Sequence, residues 1–157
     1  MSRGLIRYGA IAMAPLLLGA CATVSNATPP GTPPATPPTR KLINPGDILS
    51  DASRFGDLIF TAGHLPNDET AAIDEQVESA LDNLEATLAA AGGGFDMLLK
   101  VNVYLADWDD WGAFNAIYAR RIGEYGLPPR ATVEIVGLGF GSLIEIEAIA
   151  HVRTSSP

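Results

Sequence analysis

Cysteine is all but absent from this chain. Cys21 is the only one in 157 residues, which excludes an internal disulfide, a zinc site built on thiolates and a Cys-x-x-Cys redox pair. Histidine is nearly as scarce: His64 and His151 lie far apart, with no carboxylate or cysteine at ligand spacing, so no metal site is expected. Basic residues are few. Ten Lys and Arg face 18 Asp and Glu, for a formal net charge of -8, and no basic cluster of the kind that holds phosphate is visible, so nucleic acid is not an expected partner. No apolar run is long enough for a comfortable membrane span, since even Leu5 to Leu18 falls short of the roughly 20 residues needed. Gly92-Gly93-Gly94 has neither a following helix nor a phosphate-loop lysine, and reads as a helix terminator.

What the amino-terminal part does contain is organised. Arg3 and Arg7 form a positive start, Leu5 to Leu18 an apolar stretch of signal-peptide length, and Leu18-Gly19-Ala20-Cys21 follows at once. That segment resembles the lipobox of bacterial lipoproteins, which implies cleavage before Cys21 and acylation of its thiol. Residues 1–20 are therefore expected to be a lipoprotein signal peptide. The mature chain is expected in the bacterial cell envelope, periplasmic and lipid-anchored to a membrane through Cys21, because several acyl chains hold a protein where one does so only marginally. Residues 21–40 are almost all Thr, Pro, Ala, Ser and Gly, a composition too poor in apolar surface to fold and expected to form an extended tether. Residues 41–157 are expected to form one domain, long enough for a single core.

Within that domain the hydrophobic period switches between two and 3.6. Arg54-Phe55 and Leu58 to Ala62 flank Gly56-Asp57, a hairpin signal. Ile73, Val77, Leu81, Leu84 and Leu88 recur at spacings of three and four, with Glu75, Glu78, Asp82 and Glu85 opposite, which predicts an amphipathic helix over 72–91. Leu99, Val101, Val103 and Leu105 alternate with polar residues as in a strand. A second helix is predicted over 110–125 with Trp111, Phe114, Ile117, Tyr118 and Ile122 inward, stopped by Gly126-Leu127-Pro128-Pro129. Strands over 132–136 and 143–152 close the chain. The order predicts an α+β domain with both helices on one side of a mixed sheet. The uncovered side then predicts association of copies.

The residues themselves resemble a known family. Phe60-Thr61-Ala62-Gly63-His64-Leu65-Pro66, Leu81-Asp82-Asn83-Leu84, Lys100 to Leu105, Asn115-Ala116-Ile117-Tyr118, Pro129-Arg130-Ala131-Thr132-Val133-Glu134 and Ile144 to Ala150 resemble the Rid/YjgF reactive-intermediate deaminases, in the family's order from about Asp51 onward. The resemblance implies a chorismate-mutase-like fold, a homotrimer with a small-molecule pocket at each subunit interface, and hydrolysis of 2-imino acids or their enamine tautomers to 2-keto acids and ammonia, with no metal or organic cofactor.

It also implies a site. Arg130 matches the arginine that grips the substrate carboxylate, a task suited to a planar, permanently charged fork. Glu145 matches the acidic residue that positions the attacking water. Gly63, His64 and Thr132 would line the same pocket. Ile48-Leu49-Ser50 stands where active members carry Pro-Tyr-Ser, so the tyrosine of one pocket wall is missing. Read without the family, Arg130 is a surface arginine paired with Glu134 or Glu145, Glu145 is a solvated or interface carboxylate, His64 caps a turn, Asn115 is a structural hydrogen-bonder, and Trp108, Trp111, Phe114 and Tyr118 are core. The rival function is a non-catalytic trimeric module that binds a small carboxylate. The ribonuclease activity sometimes attached to the family fits an exported acidic chain badly.

Overall fold

The computed structural model describes residues 37–153. Cys21, the expected signal peptide and the expected tether up to residue 36 lie outside the described residues. The domain consists of β1 (Arg40–Pro45), β2 (Ser50–Phe55), β3 (Leu58–Thr61), α1 (Ile73–Ala91), β4 (Leu98–Leu105), α2 (Trp111–Ile122), β5 (Arg130–Glu134) and β6 (Ile144–His151), with short 3₁₀ turns between them. The strands form one six-stranded sheet in the order β1-β2-β3-β6-β4-β5. All pairings are antiparallel except β4 with β5. The expected mixed sheet with two helices on one face is what the chain forms.

Alternation along the central strands decides the faces. Val101, Val103 and Leu105 pair with Ala148, Ile146 and Ile144 and are buried beneath the helices. Lys100, Asn102 and Tyr104 face the other way beside Ile149, Glu147 and Glu145. α1 contributes Val77, Ala80, Leu81, Leu84 and Leu88 to the same core, every one of them fully buried. Asp74 and Glu75 sit in its first turn, where the helix dipole favours negative charge. Gly92 ends it at φ 90°, a left-handed cap that lets the Gly92 and Gly93 N–H groups reach back to Ala89 and Leu88.

Arg121 on α2 reaches across to Glu78 (2.6 Å) and Asp82 (2.8 Å) on α1, tying the two helices together. Gln76 is completely buried and holds three backbone groups at once: its amide nitrogen donates to Glu69 O and Ala71 O, and its oxygen accepts from Leu143 N at 2.8 Å. It thus pins the segment entering α1 to the segment entering β6.

Three local expectations need correction. β1 begins at Arg40, inside the stretch expected to be tether, and is an edge strand whose buried side chain is Ile43. The fifth strand starts at Arg130 rather than Thr132, and Val136 is fully exposed beyond its end. Trp111 and Trp108 are not core: they are exposed and stack on each other at 6.2 Å, because α2 starts at Trp111 and its inward stripe begins one turn later at Phe114. The sheet face opposite the helices carries exposed Leu42, Leu58 and Phe60, and none of the described elements covers it.

Candidate functional site

The sequence-predicted site residues fall into two groups. Arg130 pairs in register with Val101, and Thr132 with Val103, so both project to the helix side of the edge strand β5. Glu145 pairs with Tyr104 and projects from the open face. Within one chain, Arg130 and Thr132 therefore share no pocket with Glu145.

Arg130 opens the first group. Pro128 and Pro129 end the preceding turn, the Pro129 carbonyl accepts from Val101 N at 3.1 Å, and the chain enters β5 with Arg130 directed at α2. Its guanidinium carbon lies 4.8 Å from the Phe114 ring centroid and 4.5 Å from that of Tyr118. One Nη2 hydrogen is donated to Asn115 Oδ1 at 2.7 Å. These groups, with Leu127 and Pro128, border a cleft of about 320 Å³. No carboxylate among the described residues pairs with Arg130, and neither Glu134 nor Glu145 approaches it as an ion-pair partner. Burial depresses its proton affinity, partly offset by Tyr118. Tyr118 and Thr132 each bury a hydroxyl without a protein partner. A half-buried cation with unspent donors, clamped between two rings, is a receptor for a small anion.

The second group gathers on the open face and around the exit of β3. Gly63 and Glu145 touch: a Cβ built at Gly63 would overlap Glu145 Oε1, so only glycine leaves room for that carboxylate. Burial, and then the charge of Glu147, raise the Glu145 carboxyl above its ordinary value. Glu147 is itself fixed, because its Oε1 accepts from Asn102 Nδ2 at 2.8 Å and from the Tyr104 hydroxyl at 3.0 Å. His64 bridges to Ile146 through the backbone, and its ring is buried. Its Nδ1–H donates to Ala62 O at 2.9 Å, which leaves Nε2 to accept from the Thr87 hydroxyl at 2.8 Å. Burial lowers its pKa, so the ring stays neutral. Both ring nitrogens are engaged, and the residue is a strut beneath the Gly63 segment.

Sequence reasoning assigned Asn115, Phe114 and Tyr118 to packing, although they form the cradle of Arg130. Their signal was the spacing of 114, 115 and 118 on one helix face opposite the proline-bounded turn. Asn102 and Tyr104 went unnoticed, and their signal was polar alternation on a strand whose apolar partners are all buried. Among the described residues no group of three or more His, Cys, Asp or Glu is arranged to hold a metal ion, and no helix is long and apolar enough to cross a membrane.

A mixed sheet backed by two helices, with an unpaired arginine at one edge and a supported carboxylate on the far face, defines a class of small α+β domains. Solved structures of that class superimpose on the chain. Yeast Mmf1 does so with a TM-score of 0.66 at 28% identity, covering 75% of this chain and 98% of that one. A Mycobacterium tuberculosis member of the YjgF/YER057c/UK114 family also gives 0.66 at 28% identity, covering 73% and 100%. The family model described as Endoribonuclease L-PSP matches residues 39–152. A RutC family protein of Pyrococcus abyssi is 38% identical over 119 residues, 72% of this chain and 93% of its own length. The chain belongs to the Endoribonuclease L-PSP family, also known as YjgF or RutC. The family includes a mouse 2-iminobutanoate/2-iminopropanoate deaminase, 43% identical to this chain over 76 residues, which are 48% of this chain and 56% of that protein.

Proposed function

We propose that the domain hydrolyses 2-imino acids, or their enamine tautomers, to 2-keto acids and ammonia without a cofactor, in a site shared between copies of the chain. The observation that carries this reading is the half-buried Arg130 guanidinium, held by Asn115 and two rings and facing a cleft without a carboxylate of its own. Arg130 takes the substrate carboxylate by two parallel hydrogen bonds. The imine carbon is already electrophilic, so orientation and one proton-handling group suffice. Glu145 accepts a proton from water as the hydroxyl adds to that carbon. The proton then passes to nitrogen, the C–N bond breaks and ammonia leaves. A carboxyl raised by burial and by Glu147 suits that exchange.

Because Arg130 and Glu145 project from opposite faces, the reaction needs one residue from each of two neighbouring copies. The apolar side chains Leu42, Leu58 and Phe60 on the open face support a homotrimer closed over that face. Cys21 holds the assembly at a membrane of the bacterial cell envelope; Cys21→Ser is expected to release it into the soluble fraction, and unchanged fractionation refutes the anchor.

The test is complementation. With 2-iminobutanoate generated in situ, Arg130→Ala and Glu145→Gln are each expected to lose keto acid release, and unfolded then co-refolded mixtures to regain part of it. Two inactive variants that never complement refute the shared site. Wild type no faster than Arg130→Ala removes the enzymatic reading and leaves a carboxylate-binding module.

A further inference from the structure

A second cleft, of about 330 Å³, opens where the first hairpin ends against α1. Asn44, Asp51, Gly63, His64, Asn67 and Asn83 are among the residues that border it. Its hydrogen-bonding capacity is lopsided. His64 is spent on Ala62 O and the Thr87 hydroxyl. Asn83 donates its amide hydrogens to Leu65 O (2.8 Å) and Asn67 Oδ1 (3.0 Å), which leaves its own oxygen free to accept. Asn44 Nδ2 donates to Asp51 Oδ2 at 3.0 Å, so Asn44 Oδ1 and Asp51 Oδ1 also remain as acceptors. Against these three acceptors stands one donor group, the amide nitrogen of Asn67.

Charge points the same way. No Lys or Arg among the described residues pairs with Asp51, and His64 beside it is neutral. Asn44 is held at φ 44°, a left-handed conformation unusual outside glycine, at the wall where its amide meets Asp51. Ile48 and Leu49, on the turn between β1 and β2, point into solvent and leave that side open. The cleft also reaches the chemistry: Gly63 borders it, and the Glu145 carboxylate occupies the space where a Gly63 side chain would stand.

We propose that this cleft is the side-chain subsite of the deaminase, and that it selects 2-imino acids whose side chain ends in a cationic group rich in N–H donors, an ammonium or guanidinium. The proposal rests on the hydrolytic reading above, because Glu145 is what places the cleft beside the reacting carbon. Asp51 and the oxygens of Asn44 and Asn83 accept the donors, and Asp51 supplies the opposite charge. An alkyl side chain of the same length would leave all three acceptors without partners.

The test compares imines made in situ by an amino-acid oxidase from arginine and from norleucine, one charged and one uncharged at the end of an extended side chain. The purified chain is expected to favour the arginine-derived imine by about ten-fold or more in kcat/KM, the worth of one charge-assisted hydrogen bond. Asp51→Asn, nearly isosteric, is expected to bring that ratio close to one. In parallel, the stable products 5-guanidino-2-oxopentanoate and 2-oxohexanoate are titrated calorimetrically against wild type and Asp51→Asn. Turnover of both imines at equal rates overturns the subsite and leaves the hydrolytic reading standing. Asp51-dependent preference for the guanidino acid without any turnover supports the subsite and overturns the hydrolytic reading. Equal binding, or none, with no turnover overturns both.

Discussion

Arg130→Lys separates the geometry of the anion receptor from its charge. In the native arrangement one guanidinium hydrogen is committed to Asn115 Oδ1 at 2.7 Å, and the ring centroids of Phe114 and Tyr118 at 4.8 and 4.5 Å hold the plane of the group. A second nitrogen edge is thereby left to grip a carboxylate through two parallel bonds. Lysine keeps the positive charge but offers three hydrogens from one point, so it cannot serve Asn115 and both carboxylate oxygens together. Losing one hydrogen bond to a charged group costs about 1.5–3 kcal/mol. The kcat/KM for a 2-imino acid is therefore expected to fall roughly ten- to 150-fold. The loss should appear mainly in KM where the grip is made equally with substrate and transition state. Keto acid release measured over a substrate series gives both parameters, and a thermal melt checks that the domain remains folded. A folded Arg130→Lys variant within two-fold of wild type would refute the claim that a planar, pre-positioned fork is what the site requires.

Other perturbations follow from the same coordinates. Gln76→Leu leaves Leu143 N, Glu69 O and Ala71 O without partners in the interior, and is expected to lower unfolding free energy in urea by roughly 2–4 kcal/mol. An unchanged midpoint would mean that water replaces the lost bonds. Burial holds His64 neutral with a pKa below its ordinary 6.5. The folded state thus binds fewer protons there than the unfolded chain, and stability is full above 6.5 and declines as pH falls from there toward the folded-state value. Urea titrations between about pH 8 and pH 5 should show that slope in wild type and less of it in His64→Gln. Glu147 raises the Glu145 carboxyl across the strand face, so Glu147→Gln should move the acid limb of the kcat/KM profile to lower pH. A limb that stays put would exclude Glu145 as the titrating group.

Much of the fold was legible because its periodicities are clean. The spacing from Ile73 to Leu88 and the glycine run after Ala91 located α1 almost to the residue. Alternation in β4 and β6 sorted their faces correctly, with Leu99 displaced by the irregular register beside Lys100. β1 escaped because it is an edge strand with one buried side chain, following a proline-rich segment, and carries no alternation to detect. The start of β5 was misplaced because Pro128-Pro129 was read as a turn with slack on both sides, whereas the Pro129 carbonyl is already bonded to β4. The site was legible as residue types but not as an arrangement. Whether Arg130 and Glu145 share a face depends on how β5 and β6 each register against β4, and register is a long-range property that a single sequence does not encode at any one position.

β6 is the last element of the chain and the central seam of its sheet, bonded on one side to β3 and on the other to β4. Until residues 144–151 have emerged, the early hairpin and the later β4–β5 pair have no common neighbour, and the interior cannot close. A nascent polypeptide of this design stays threadable to its final residues, which suits passage through a narrow export channel. A stop codon placed just ahead of Ile144 would yield two orphaned fragments of a sheet rather than a shortened domain.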